Sequence, residues 1–325
     1  MRAVVIGLGS MGKRRIRLLL ERGDVEISGV DSNAERCTEA GHRFGIECFP
    51  SLEAACAAHK SDCAFVCTSP LSHASITGAC LDLGLHVFTE INLVKNAYTA
   101  NMAKAAEKGK VLFLSSTFLY QDDIAAIMEK VGGASSPLDY IYHVGQYLPD
   151  WHPWESYNNY FIGSPRTSGC REILAIELPW IVSCFGAVKS VKCVKSKNTG
   201  LNVSYDDNML ILLEHEGGAK GCFAVDVVSR CAIRNLEIFG EDLHLFWHGS
   251  VDTLSEYDIA SKHIKPIMID SVAEHEEGYA DFIDENPYRK EITAFFDMVE
   301  GRLKTPLWDF VRDAKILDII DDIER

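Results

Sequence analysis

The chain has 325 residues, 47% of them hydrophobic, and a mean hydropathy near zero, which is enough apolar material for two packed domains. A formal charge of −15 excludes the attractive field that nucleic acids and anionic membranes require, so a small molecule is the expected ligand. No apolar run reaches the length of a membrane span, and the opening MRAVVIGLGS lacks the apolar core and cleavage site of a signal peptide, which points to the cytoplasm.

In chain order, short apolar or β-branched runs at 3–6, 25–30, 63–67, 86–89 and 111–114 predict strands, and amphipathic stretches at 13–22, 34–44, 73–83 and 97–108 predict helices between them. That βαβ rhythm predicts an α/β protein whose N-terminal domain is a Rossmann-type, doubly wound parallel sheet. A helix at 122–131 leads into GGASSP at 132–137, the natural hinge. Beyond it, strands at 140–148, 188–194, 209–213, 222–228, 236–239 and 243–247 follow one another with one helix, 172–184, among them. Turns such as EGG at 216–218 imply a C-terminal α+β domain on an open, mainly antiparallel sheet. Helices at 288–299 and 307–323 should pack back. The expected division is 1–121 for the dinucleotide domain and 122–325 for a substrate and oligomerisation domain. The eleven cysteines are odd in number, form no CxxC, and several (Cys63, Cys67, Cys80, Cys184, Cys222) lie in apolar runs, so they read as buried, reduced thiols.

VVIGLGSMGKRRIRLLL places Gly7, Gly9 and Gly12 in G-x-G-x-x-G spacing between a strand and a helix, with Ser10 and Met11 completing the loop. The first glycine permits the tight turn, the second a close approach to pyrophosphate, and the third close helix–sheet packing. The helix N-terminus offers free N–H groups to the phosphates. Asp31 ends the second strand, where an acid receives the adenosine ribose hydroxyls and repels a 2′-phosphate, so NAD is expected in preference to NADP. Lys13, Arg14 and Arg15 read as a solvated helix face, although they stand close enough to soften that preference.

This order of features, from GLGSMG through CTSPLSHASITGACLDLGLHVFTE into the open-sheet domain, resembles the Gfo/Idh/MocA family of oxidoreductases. The resemblance implies that Thr68, Pro70 and His73 line the cofactor site, and that Glu90 matches the Glu of the family's Glu-Lys-Pro strand end, at the nicotinamide-ribose end of the cofactor. It also implies two departures. Ile91 and Asn92 stand where the family has its lysine and proline, and Glu172, Ile176 and Pro179 stand where family members usually carry Asp, His and Asp. The usual proton-transfer lysine and histidine are therefore missing.

Hydride exchange with a carbinol still needs a group that takes or gives the hydroxyl proton. One Pro-punctuated cluster, YLPDWHPWESYNNYFIGSPRTSGCRE, gathers charged and aromatic residues of the kind a carbohydrate pocket uses. Within it His152 is the first choice for acid/base work, against the plainer alternative of a histidine that satisfies backbone carbonyls. Glu172 either orients His152 or pairs with Arg166, and Glu90 completes the expected catalytic set. Trp151, Trp154, Glu155, Tyr157, Arg166 and Arg171 are the expected substrate contacts, Arg171 for a phosphate or carboxylate. Glu177 and Trp180 are expected to face the sheet or solvent, and Pro179 to kink its helix or open a new first turn. No metal site is expected, because the histidines are scattered and no cysteines pair at ligand spacing.

The sequence thus predicts an NAD-dependent oxidoreductase acting on a sugar, sugar nucleotide or related polyol. The rivals are an NAD-retaining epimerase or lyase and an NAD-binding regulatory protein that has lost catalysis. An open sheet has a face to cover, so a homodimer or homotetramer through the C-terminal sheet is expected.

Overall fold

The structure, a computed structural model, describes residues 1–152, 155–271, 273–274 and 284–325. It divides into two compact units, Met1–Ser116 with Tyr288–Ala314, and Thr117–Pro287 with Lys315–Arg325.

The first unit alternates β1 (Arg2–Ile6), α1 (Ser10–Arg22), β2 (Glu26–Val30), α2 (Ala34–Phe44), β3 (Glu47–Phe49), α3 (Leu52–Ala58), β4 (Cys63–Val66), α4 (Pro70–Asp82), β5 (His86–Thr89), α5 (Tyr98–Glu107) and β6 (Leu112–Leu114). All six strands are parallel in the order β3-β2-β1-β4-β5-β6, so the winding reverses between β1 and β4. Helices on both faces bury β4 completely, which explains its unbroken apolar run. Ligands of such sheets bind outside the carboxyl ends of the strands at the reversal. Both β3 and α3 escape the sequence reading, because one is a half-buried edge triplet and the other a seven-residue helix too short to show a period.

The second unit opens with α6 (Asp122–Gly132) and β7 (Asp139–Gly145), then α7 (Gly169–Phe185), and continues through β8 (Val188–Ser196), β9 (Asn208–His215), β10 (Lys220–Asp226), β11 (Ile233–Phe239), β12 (His244–Trp247), β13 (Ser255–Asp258) and β14 (His263–Pro266). These eight strands line up as β14-β13-β12-β11-β7-β10-β9-β8, antiparallel throughout except for the central β7–β10 pair. Along β9, Met209, Ile211 and Leu213 are buried while Leu210 and Leu212 are exposed, the alternation of a sheet with one covered face. On the covered face the ring of Tyr142 stacks on Phe223 at 5.2 Å and meets Trp180 of α7 edge-on at 5.5 Å.

The last helices are α8 (Asn286–Val299) and α9 (Phe310–Glu324). Phe295 of α8 packs edge-on against Phe65, Phe88 and Phe113 at 5.3, 5.7 and 5.9 Å, inside the core of the first unit. Residue Asp313 of α9 belongs to that unit too and accepts hydrogen bonds from Tyr98 Oη at 2.6 Å and Trp308 Nε1 at 3.1 Å. A single cut after residue 121 is therefore replaced by a first unit that ends at Ser116 and recovers Tyr288–Ala314.

Other expectations also change. The GGASSP stretch is not the boundary: it lies within the second unit, where Ser135 donates from N and Oγ to Asp242 at 2.7 and 2.6 Å. Pro179 sits inside α7, which continues past it to Phe185. Among the cysteines, Cys63, Cys67 and Cys80 are buried thiols, but Cys222 is exposed because it points to the uncovered face of β10. The β13–β14 hairpin was invisible in the sequence because SEYD and HIKP are polar and only edge-paired.

Candidate functional site

The loop between β1 and α1 is built so that only glycine fits at two of its positions. Gly7 has φ +93°, and a Cβ there would lie 2.8 Å from the carbonyl carbon of Cys67; a Cβ on Gly12 would lie 1.8 Å from the Gly7 oxygen. Gly9 is different, since a Cβ on it would touch nothing within 4 Å. Its bareness does not serve the protein's own packing and keeps open the space beside the helix start. No side chain caps α1, whose first turn contains Ser10, Met11 and Gly12 and no acid, so its N–H groups are available to an anion. Asp31 closes the loop from the end of β2, with Oδ2 accepting from Leu8 N at 2.8 Å and Oδ1 from Asn33 N at 2.9 Å. These residues fit a dinucleotide: the loop would hold its pyrophosphate and Asp31 its adenosine ribose.

After β4, Thr68 Oγ1 shares a hydrogen bond of 2.8 Å with Ser72 Oγ, and Pro70 begins α4. His73 is buried, with Nε2 2.8 Å from the Thr68 carbonyl and Nδ1 2.9 Å from Asn92 Oδ1, and burial lowers its pKa. It therefore anchors the Thr68 turn to the segment after β5. Asn92, in the place of the family's proline, supplies the other end of that anchor.

Glu90 follows β5, and its setting could not be read from the sequence. Arg15 donates from Nε to Glu90 Oε1 at 2.6 Å and from Nη2 to Glu90 Oε2 at 3.1 Å, while the same Nη2 reaches Glu291 Oε2 at 2.7 Å. Arg15 is fully buried, and its guanidinium carbon lies 4.5 Å from the centre of the Phe88 ring. Burial works against its charge, but the Glu90 and Glu291 carboxylates outweigh that and raise its pKa. Burial pushes the Glu291 carboxyl up even with Arg15 beside it. Arg14 is buried as well, 4.5 Å over the Tyr288 ring. The solvated face expected for these arginines is thus corrected: only Lys13 reaches outward, to Glu39 at 2.5 Å. Both oxygens of Glu90 are engaged by Arg15, so it is a fixed part of the strand end.

In the second unit the ends of β7 and β11, the start of α7 and the turn after β12 enclose a pocket of about 270 Å³. Glu172, Ile173 and Ile176 line it from α7, Val144 to Gln146 from β7, and Trp151 from the loop that follows; Arg234, His248 and Gly249 close it. Trp151 is pinned by its indole Nε1, which donates to the Gln146 carbonyl at 3.1 Å. The Glu172 carboxyl has no hydrogen-bond or ion-pair partner among the described residues, and burial alone pushes its pKa up to about 7. Around it stand Tyr160 and Tyr205, whose buried hydroxyls also lack a partner of normal geometry. Burial raises both phenols, Tyr205 to about 12, and the charge of Glu172 adds to the effect.

The expected cluster is divided by the structure. His152 lies outside the residues that line the pocket; its Nδ1 is 3.1 Å from Glu155 Oε1 and its ring stacks on Tyr160 at 4.7 Å. No hydrogen bond joins it to Glu172 among the described residues. Tyr157 Oη accepts from Asn202 N at 3.0 Å, which ties down a loop. Arg166 is exposed in a short 3₁₀ turn. Arg171, expected on a substrate anion, instead donates to Asp321 at 2.7 Å and to Glu324, clasping α9. Trp154 lies outside the described residues. Glu177 faces the sheet, fully buried, and Arg234 was missed altogether: a lone arginine near the start of a strand carries no motif.

The fold and the loop define a protein with a dinucleotide-binding Rossmann unit and a separate sheet unit that has its own pocket. Residues 1–116 match the model of the Gfo/Idh/MocA family, an oxidoreductase family with an NAD-binding Rossmann fold. A 4-carboxy-2-hydroxymuconate-6-semialdehyde dehydrogenase of Sphingobium sp. is 29% identical over 135 residues, 40% of this chain and 43% of that protein. The matches span 36% and 43% of the two curated relatives, less than half of either. Solved structures extend the likeness of fold to the whole chain. A UDP-N-acetylglucosamine 3-dehydrogenase of Acidithiobacillus ferrooxidans gives a TM-score of 0.77 at 18% identity, covering 100% of this chain and 96% of that one. A levoglucosan dehydrogenase in complex with NADH gives 0.80 at 17%, covering 100% and 95%.

Replacing Arg15 by leucine leaves two buried carboxyls facing each other without their cation. Arg15→Leu should therefore lose about 3–5 kcal/mol of unfolding free energy at neutral pH, the cost of breaking a buried ion pair from one side. Urea titration measures it, and a loss below about 1 kcal/mol, the range of a surface pair, would contradict the buried arrangement.

Proposed function

We propose that this chain is an NAD-dependent oxidoreductase that exchanges hydride with a CH–OH carbon of a carbohydrate-like substrate, and that Glu172 handles the hydroxyl proton. NAD, when bound, supplies the hydride acceptor. The observation that carries the reading is the Glu172 carboxyl, which lies in a pocket without a partner and has a pKa near 7. A group poised there is half ionised at neutral pH and can take a proton during oxidation or return one during reduction. Apolar Ile173 and Ile176 keep its environment poor in donors, and its charge helps to raise the phenols of Tyr160 and Tyr205. His152, first choice from the sequence, yields this role to Glu172 because it is tied to Glu155 and does not line the pocket. The names of the UDP-N-acetylglucosamine 3-dehydrogenase and the levoglucosan dehydrogenase support a sugar or sugar-nucleotide substrate; that of the semialdehyde dehydrogenase does not.

A second copy of the chain would cover the open face of the large sheet. Ile141, Cys222 and Leu212 lie opposite one another across β7, β10 and β9, and Leu210 and Val194 pair across β9 and β8, all exposed. This row supports a homodimer or homotetramer.

In the oxidation direction, activity should rise with pH through about 7 as Glu172 ionises. Glu172→Gln should lower turnover by about 10²- to 10⁴-fold and abolish that step. Stability moves the opposite way. With a native pKa raised from 4.5 to about 7, the carboxyl's favourable contribution is complete below pH 4.5 and is lost as pH rises through 7. The melting temperature of the unmutated protein should fall across that window, and that of Glu172→Gln should stay level. Matching slopes in the two proteins would remove Glu172 from the account.

Fluorescence titration should show NADH binding more tightly than NADPH, and Asp31→Ser should narrow the difference by removing repulsion of the 2′-phosphate. Equal affinities in the unmutated protein would refute this use of Asp31. For the sheet face, sedimentation should find an oligomer that Leu212→Glu converts to monomer; a monomer before mutation would exclude the interface.

A further inference from the structure

The pocket that holds Glu172 also holds a cation. Arg234, near the start of β11, donates from Nε to Glu177 Oε1 at 3.1 Å, and its guanidinium carbon lies 4.8 Å over the Phe118 ring. Glu177 is itself immobilised, because Oε2 accepts from Tyr142 Oη at 2.8 Å and from Trp180 Nε1 at 2.7 Å. The guanidinium is thus fixed by its Nε edge and by one flat face. Its two Nη groups donate to no carboxylate among the described residues, and no ion pair joins it to Glu172. Elsewhere in the same unit Arg171 spends both Nη groups on carboxylates of α9, whereas Arg234 pairs with Glu177 and has the Tyr142 hydroxyl as a second hydrogen-bonding neighbour.

A forked, pre-oriented guanidinium in a pocket with Trp151, Ile173 and Ile233 in its walls suits a bidentate anion, and apolar walls strengthen the attraction. A net charge of −15 disfavours anions in general, so a fixed local cation is what an anionic ligand would need. We propose that Arg234 is the receptor for an anionic group of the substrate, a carboxylate or a phosphate ester, and that the pocket therefore takes an acidic sugar in preference to its neutral counterpart. This rests on reading the pocket as the substrate site. The volume of about 270 Å³ suits one sugar ring with its acidic substituent.

The test is calorimetric binding to the full chain saturated with NADH, using glucose, glucuronate, glucuronate methyl ester and glucose 6-phosphate. The expected result is that glucuronate or glucose 6-phosphate binds at least about tenfold more tightly than glucose and the methyl ester, the value of one charged hydrogen bond, and whichever does so identifies the anion. Arg234→Lys keeps a cation against Glu177 but loses the fork, so it should shrink that advantage severalfold while glucose binding holds. Glu172→Gln should leave the preference for the anion intact. Equal binding of all four ligands to the unmutated protein would overturn the role of Arg234 and leave the acid/base reading of Glu172 standing. Failure of all four to bind would overturn both. Because the comparison among ligands uses the unmutated protein, a variant that fails to fold does not rescue the idea.

Discussion

A carboxylate shielded from water needs donors or its charge is disfavoured, and α7 carries a fully buried example, Glu177, and a partly exposed one, Glu172. Glu177 receives three hydrogen bonds, from Tyr142, Trp180 and Arg234, and so fastens the helix to β7 and β11. Glu172, five residues earlier on the same helix, receives none among the described residues, and loss of solvation pushes its pKa up to about 7. The second unit shows that contrast on one helix: the saturated carboxylate holds β7 and β11 and orients Arg234, and the other lines the pocket.

The first unit resolves the same problem with an arginine. Glu90 and Glu291 share Arg15, which projects from the helix that starts at the glycine loop, so the end of β5 is tied to the element that would carry the pyrophosphate. Loss of the family's lysine at Ile91 is therefore not repaired by Glu90, whose oxygens are already taken. Asn92, in turn, is consumed in holding His73. Within this unit the residues after β5 are held in place, Glu90 by Arg15 of the glycine-loop helix and Asn92 by His73.

The sequence made the doubly wound sheet legible because its signals are local: a buried strand is an apolar run, and Gly7 and Gly12 are required by contacts only glycine can make. The antiparallel sheet was legible from successive strand-like runs joined by turns such as EGG at 216–218. Partnerships that span the chain were not. Arg15 sits 75 and 276 residues from its two carboxylates, and nothing in KRRIR distinguishes it from a solvated arginine. Arg171 was expected on a substrate anion and Arg234 drew no expectation, yet the structure gives the first to α9 and the second to the pocket. Glu172 was legible as a candidate, but not its lack of a hydrogen-bond or ion-pair partner among the described residues. His152 drew attention by its neighbours in sequence, yet its partner in space is Glu155.

The most direct test of the central claim is the ionisation of Glu172 itself, followed by carbon NMR of protein labelled at glutamate carboxyls, with Glu172→Gln assigning the resonance. The account predicts a midpoint near pH 7, well above the ordinary 4.5. A midpoint in the ordinary range would mean that the carboxyl is solvated or paired, and would contradict its role as the proton-transfer group.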